Sequence, residues 1–432
     1  MSPSQPNVLV ITTHDSGRMF GCYGNPTVRT PRIDRLAHNG VLFENMNATC
    51  PICSPSRGAL LTGRYPLANG LVGLAGGSWN WEMNDYHQHL SHLLHDAGYS
   101  TALFGLQHET VHIDRMGFDE VSPRDKKSAV EVADDACSYL RGGPDGPFYM
   151  QVGFFETHTP YDYADCEPDD ENGVWVPPFA TTHDWPGWAR LLNRRFGEDP
   201  EGPRRHLAEL QGSLHRVDCA VGKILDALAD AGLDRNTIVL YNTDHGPELP
   251  GAKWTMYDPG VGVAFIMRWP EGGVAGGRRC PWMLSNVDFV PTLFELLDLE
   301  PPENLQGSSF ARACREYVEG VPSTREVAFG NWVDGLNFSA RTDRYKLIRN
   351  LVPVDSTGRE CPEYELYDLA IDPLEITDVA REPAYEEAFE QMKEHLDGWL
   401  TEMDDPVVHG PIEGEEHEEM IANYRSRYEA RH

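Results

Sequence analysis

Positive charge is what this sequence has least of. Its 432 residues hold 36 Lys and Arg against 68 Asp and Glu, a formal net charge of −32. A polyanion needs a basic face, so the balance argues against nucleic acid as a partner. A large polysulfated substrate is disfavoured against a small one, unless a local cationic pocket overrules the net charge. Long apolar runs are also missing. None approaches the ~20 residues of a membrane-spanning helix, and no membrane partner is expected. The start, Met1 to Pro6, has neither a basic segment nor an apolar one; it does not read as a signal peptide. Nine cysteines, scattered and odd in number, make no disulfide framework. Together these features read as a cytoplasmic protein. Hydrophobic content of 40% and ten tryptophans point to a globular chain long enough for a sizeable core and two domains.

One short stretch organises the rest. Cys53-Ser54-Pro55-Ser56-Arg57 runs into Gly58-Ala59-Leu60-Leu61-Thr62-Gly63. Arg57 to Leu61 are mostly good helix formers, and Pro55 suits a first helical turn. Cys53 then stands at a helix N-terminus, where amide N–H groups and the dipole favour an anion. Arg57 lies one turn along on the same face and adds a forked cation. Cys50 and Cys53 also form a Cys-x-x-Cys, but no second pair stands at zinc-site spacing.

Cys-x-Pro-Ser-Arg-x-x-x-Leu-Thr-Gly, here Cys53 to Gly63, resembles the signature of type I, formylglycine-dependent sulfatases of the alkaline phosphatase superfamily. The resemblance implies that Cys53 is oxidised to formylglycine by a formylglycine-generating enzyme, and that the aldehyde hydrate is the nucleophile. Other family blocks follow in order. Asn7 to Thr12 is a short β-branched run, read as a buried parallel strand, and His14-Asp15 follows it. The family has two carboxylates there that bind a divalent cation; Asp15 matches, and His14 is a departure. After a strand at Tyr99 to Phe104 the family shows Gly-Lys-Trp-His. Here His108 keeps the histidine, which would help to open the hydrate, while Leu106 stands in place of the sulfate-binding lysine. Pro147 to Phe155 reads as a strand that leads to His158-Thr159-Pro160; His158 would contact the sulfate or leaving oxygen. Thr237 to Asn242 is another strand, followed by Asp244 and His245, both implied metal ligands. Lys253 matches the lysine that touches sulfate and leaving group.

Helices are read at Thr30 to Ala37, with Thr30 as N-cap and Pro31 at N1, at His89 to Ala97, and at Leu207 to Ala231. The last is the longest. Val261 to Trp269 reads as one strand, and Asp288 to about Leu297 as a helix. Residues 161–205, with Trp175, Trp185 and Trp188, show no periodicity and read as an insertion bordering the active site. Beyond about Pro322, Val327 to Trp332, Asn337 to Thr342, Tyr345 to Asn350 and Tyr364 to Leu369 read as an antiparallel sheet, with an amphipathic helix at Pro383 to Met403. The expected fold is therefore α/β: a large mostly parallel sheet sandwiched by helices, alkaline phosphatase-like, plus a smaller C-terminal antiparallel sheet with a packed helix. The expected divisions are 1–322, 323–404 and a tail at 405–432, which reads as an oligomer arm or a disordered end.

The implied reaction is hydrolysis of an O-sulfate or sulfamate on a small anionic substrate. One divalent cation would sit among Asp15, His14, Asp244, His245 and the Cys53-derived hydrate. Imidazole ligands favour manganese or zinc; calcium or magnesium fits if His14 turns away. Arg57 and Lys253 would hold the anion, and Lys253 or His158 would protonate the leaving oxygen. Two alternatives stay open: phosphonate monoester or phosphodiester hydrolysis on the same scaffold, and a metal- or anion-binding protein without turnover, should Cys53 remain a thiol.

Overall fold

The computed structural model describes residues 5–76, 80–122, 128–161, 202–249, 251–332, 337–350 and 361–403. The three tryptophans of the insertion and the tail lie outside them. Among these residues nine strands form one sheet: β1 (Asn7–Thr13), β2 (Val41–Asn47), β3 (Ser100–Gly105), β4 (Glu120–Ser122), β5 (Phe148–Phe154), β6 (Thr237–Thr243), β7 (Gly262–Val263), β8 (Phe265–Arg268) and β9 (Arg278–Ser285). The order is β4-β3-β5-β1-β6-β8-β2-β7, with β9 also paired to β2. From β4 to β6 the strands are parallel, and β8 turns antiparallel to β6.

Every residue of β1, β5 and β6 is buried, as a parallel sheet covered on both faces requires. Alternation sorts them. Leu9 and Ile11 join one core layer with Leu214, Val217 and Val221 of the helix Gly202–Asp230. Val8 and Val10 point to the other, with Phe289, Val290 and Leu293 of the helix Phe289–Leu296. Each such side chain contributes about 1.5–3 kcal/mol when fully buried.

The sheet expected near the C-terminus is present as β10 (Ala328–Trp332), β11 (Asn337–Arg341), β12 (Tyr345–Asn350) and β13 (Tyr364–Asp368), antiparallel in sequence order. Helix Glu386–Glu402 packs Met392, Leu396 and Trp399 on it. Trp399 stacks on Phe329 of β10 at 5.0 Å and meets Tyr65 at 5.2 Å. The other face sets Trp332 and Ile348 against Cys50 and Ile52. The small sheet thus packs on Cys50 and Ile52, while Trp399 of its helix meets Tyr65.

Three local readings change. Thr30 precedes the helix Pro31–Asn39, but its hydroxyl does not cap it; the oxygen accepts from the Gly21 amide at 3.1 Å and lies 3.2 Å from Asp34 Oδ1. Val261 to Trp269 splits, because Val261 closes a helical turn and Ala264 leaves the ladder to donate to Gly17 O at 3.0 Å. The helix Ala129–Gly142 and strand β9 were not expected.

Candidate active site

The strands deliver their chemistry at one edge. His14 and Asp15 follow β1, Asp244 and His245 follow β6, His108 lies three residues past β3, and His158 four past β5. This is the carboxyl end of the parallel strands, where open α/β sheets bind ligands. Close packing makes the edge sharp. A Cβ on Gly246 would lie 1.7 Å from Pro259 O, and one on Gly153 1.7 Å from Leu106 O. Asp15 itself has φ +39°, a left-handed conformation uncommon for a residue with a side chain.

Cys53 is the first residue of the helix Cys53–Thr62, which is buried along its whole length. Its Sγ lies 3.2 Å from His245 Nε2 and 4.0 Å from Asp15 Oδ1. Arg57, 1% exposed, donates Nε to Asp244 Oδ2 at 3.0 Å. His14 Nδ1 faces both carboxylates, 3.1 Å from Asp244 Oδ2 and 3.3 Å from Asp15 Oδ1. Lys253 Nζ donates to Asp15 Oδ2 at 2.7 Å and lies 3.3 Å from His158 Nε2. His108 holds its ring 5.9 Å from that of His14. All the expected polar site residues therefore converge. Leu106 is buried and brings no charge.

The charges hold one another. Burial would raise the Asp15 carboxyl, but Lys253 and His245 outweigh it and hold it far below the usual carboxylate range. Burial likewise opposes ionisation of Asp244, and His245, His14 and Arg57 overcome it. Burial pushes the His14 and His245 imidazoles down, but Asp244 and Cys53 raise both above the ordinary histidine value. The Cys53 thiol, which burial alone would raise, is drawn well below its usual value by His14, His245 and Lys253.

The donor set suits a divalent cation. His14, Asp15, Cys53, Asp244 and His245 each offer a ligand atom, and these atoms lie within 4.8 Å of one another. The His14 Nε2 atom is buried without a hydrogen-bond partner among the described residues. His245 Nδ1 is 2.8 Å from the Gly246 carbonyl. A carbonyl only accepts, so Nδ1 carries the proton and Nε2 faces the cluster as a ligand atom. A second group, Asp15, His158 and Glu248, is also compact, but Lys253 Nζ already contacts all three, with Glu248 Oε2 at 3.8 Å. Access is from the side of His158, Glu248 and His108, the part-exposed members.

Sequence reasoning missed Glu248, Glu109 and Thr157, and gave the motif residue Ser56 no role. Glu248 sits beside Lys253 and accepts from the Thr159 hydroxyl. Glu109 is fully buried next to His108. Ser56 and Thr157 donate to the carbonyls of Asp244 and His14. Nothing in the spacing marks Glu248, Glu109 or Thr157, apart from adjacency to a motif residue for the last two.

Known proteins supply the class. A protein-family model described as Sulfatase matches residues 6–299, well over half of the chain. The chain belongs to the sulfatase family, within the alkaline phosphatase superfamily, and is a sulfuric-ester hydrolase. A second model, N-sulphoglucosamine sulphohydrolase, C-terminal, matches residues 252–402. Relatives include an ulvan-active sulfatase of Formosa agariphila, 26% identical over 93% of this chain and 76% of its own length. The human N-sulphoglucosamine sulphohydrolase is 26% identical over 94% and 92%. Two solved structures share the fold. One, in complex with its substrate D-glucosamine-2-N,6-O-disulfate, superposes with a TM-score of 0.73 at 20% identity, covering 93% of this chain and 99% of that one. The phosphonate monoester hydrolase of Agrobacterium radiobacter gives 0.69 at 21%, covering 93% and 96%. Among the described residues no helix is long and apolar enough to cross a membrane.

Proposed function

We propose that Cys53 is converted to formylglycine and that the enzyme cleaves a sulfate ester or sulfamate on a small sulfated sugar, using one divalent cation held by Asp15, Asp244, His245 and His14. The observation that carries this reading is the position of Cys53: first residue of a buried helix, 3.2 Å from His245 and inside the five-residue ligand cluster. The sugar is supported by relatives named for ulvan and N-sulphoglucosamine, and its small size by the net charge of −32. Two imidazoles among the ligands favour manganese or zinc over calcium.

Bound there, the cation would polarise the sulfate and favour ionisation of a hydroxyl at position 53. Formylglycine supplies a hydrated aldehyde: one hydroxyl attacks sulfur, and the other later loses its proton so that sulfate is expelled and the aldehyde restored. Arg57, held by Asp244, presents the rest of its guanidinium to the anion. His158 Nδ1 lies 2.7 Å from the Thr159 carbonyl, so that nitrogen carries its proton. In the neutral ring Nε2 is then an acceptor facing Lys253. Lys253 is held protonated, since Asp15 outweighs the effect of burial on its ammonium. Lys253 is accordingly the proton source for the leaving oxygen, with His158 aligning it. His108 is placed to take the hydrate proton.

Mass spectrometry of the Cys53 peptide from native-host protein, together with an aldehyde-reactive probe, tests the nucleophile. An active enzyme with only a thiol at position 53 overturns the aldehyde mechanism. A substrate panel of sugar sulfates, sulfamates and phosphonate monoesters tests the class. The phosphonate reading is kept alive by Leu106, which brings no cation to the anion pocket; a kcat/KM higher for the phosphonate would establish it.

A further inference from the structure

Trp254 stands directly after Lys253 with φ +71°. A left-handed backbone is an outlier for so bulky a side chain, and such a conformation persists only where the surroundings over-determine it. Several contacts do so here. The Trp254 amide donates at 3.2 Å to the carbonyl of Pro51, two residues before Cys53. On either side, the Lys253 amide donates to Pro247 O at 3.1 Å and the Thr255 amide to Ala252 O at 3.0 Å. The indole is half-buried, with its ring centre 5.7 Å from that of Trp332 of β10. Trp332 in turn packs with Cys50 and Ile52. The Trp254 ring lies beneath the residue that precedes it: Lys253 Nζ sits over the ring, 5.4 Å from its centroid.

A lysine stem is flexible and fixes no geometry by itself, and its ammonium has three donors. Asp15 Oδ2 takes one at 2.7 Å, and His158 Nε2 lies within reach of a second at 3.3 Å. Glu248 Oε2, at 3.8 Å, is beyond hydrogen-bond reach and accepts instead from the Thr159 hydroxyl. One N–H is thus left for substrate. The face of an indole attracts a cation without using a donor. Trp254 can therefore confine the ammonium and still leave that N–H open.

We propose that Trp254 is a positioning residue, which holds the Lys253 ammonium against Asp15 and His158 with one N–H toward the leaving oxygen, and that Trp332 braces it from the small sheet. The inference rests on the reading of Lys253 as proton donor and adds the group that aims it. No bond forms or breaks at Trp254. The small sheet then takes part in catalysis through a single ring contact.

Steady-state kinetics of the metal-loaded full chain on a sugar sulfate and a nitrophenyl sulfate test this, with melting temperature and metal content measured for each variant. A sugar alkoxide needs the proton and a nitrophenolate does not, so the ratio of the two kcat values reads the donor. Trp254→Asn removes the ring and suits the left-handed backbone. It should lower kcat about tenfold on the sugar sulfate and less than about threefold on the nitrophenyl sulfate, with KM for the sugar sulfate changed less than about threefold. Trp254→Phe keeps a π face and should recover most of the loss. Trp332→Leu leaves the residues around Lys253 unaltered and should shift the same ratio in the same direction by about threefold or more. The proposal is overturned by a Trp254→Asn protein that keeps its kcat on the sugar sulfate, loses equally on both substrates or changes only KM, and by a Trp254→Phe protein no better than Trp254→Asn. Should Trp254→Asn fail to fold, the Trp332→Leu ratio decides. Lys253→Met separates the two readings. An equal loss on both substrates there refutes the proton donor, and this proposal with it; a leaving-group-dependent loss there without one in Trp254→Asn refutes only the part given to Trp254.

Discussion

Replacing Lys253 by Met removes one charge and keeps most of the buried stem. The ammonium is 3% exposed and touches Asp15, His158 and Glu248 at 2.7, 3.3 and 3.8 Å. A unit charge ~4 Å from a developing negative oxygen contributes about 4 kcal/mol at an effective dielectric of ~20. Asp15 already offsets part of it, so the expected loss is that of one oxyanion donor, roughly 2.7–4 kcal/mol or about 10²–10³ in kcat. The loss should fall on kcat rather than KM, because the proton moves only in the transition state. It should also depend on the leaving group. A sugar alcohol needs the proton and should show the full effect; a nitrophenol, which leaves readily as an anion, should lose much less. Steady-state kinetics on a sugar sulfate and a nitrophenyl sulfate measure both, with metal content and melting temperature checked for each protein. A loss below about tenfold on the sugar sulfate, or an equal loss on both substrates, refutes Lys253 as the proton donor.

Further outcomes follow from the same geometry. Cys53→Ala should abolish turnover and leave the circular dichroism spectrum unchanged; residual activity would remove position 53 from the chemistry. His14→Ala should weaken manganese or zinc binding about tenfold or more, measured by metal analysis after chelation and reconstitution; stoichiometric calcium with an unaffected variant rejects the histidine ligand. In metal-stripped protein, Asp15 and Asp244 have native values below the unfolded value of about 4. Their stabilisation is complete above that pH and is lost as the pH falls through the native values. A melting temperature that is flat between about pH 5 and pH 3 contradicts this. Arg325, paired with the buried Asp288 through Nε at 2.7 Å, should cost about 3–5 kcal/mol on replacement by Ala, because a buried carboxylate is left exposed to no cation; urea denaturation measures it.

The strands were legible where burial on both faces forces continuous β-branched runs, as in Asn7–Thr13 and Thr237–Thr243. Strand β9 was not, because Arg278, Arg279 and Pro281 interrupt its apolar run at an edge where only β2 pairs with it. The helix Ala129–Gly142 carried a local sign that went unread, the Ser128–Glu131 capping box. The site was legible through motifs that place side chains just past strand ends. Glu248 escaped because its importance comes from tertiary proximity to Lys253, which no sequence period encodes. The hydroxyl of Thr30 also shows tertiary override: the Gly21 amide draws it off its own helix.

The cover over Cys53 carries a consequence for timing. The residue is 2% exposed, and much of what encloses it comes from later in the chain. Asn286 Nδ2 donates to Ser56 O at 2.8 Å, the Trp254 amide to Pro51 O at 3.2 Å and the Asn331 amide to Thr49 O at 2.8 Å. An enzyme that modifies Cys53 must therefore reach it before those segments dock. The roughly 280 residues between Cys53 and Asn331 take about 14–56 s to synthesise at ~5–20 residues per second. Under the proposed conversion of Cys53, maturation is a race between an encounter with the modifying enzyme and completion of the fold, and translation speed becomes one determinant of how much active enzyme a cell obtains.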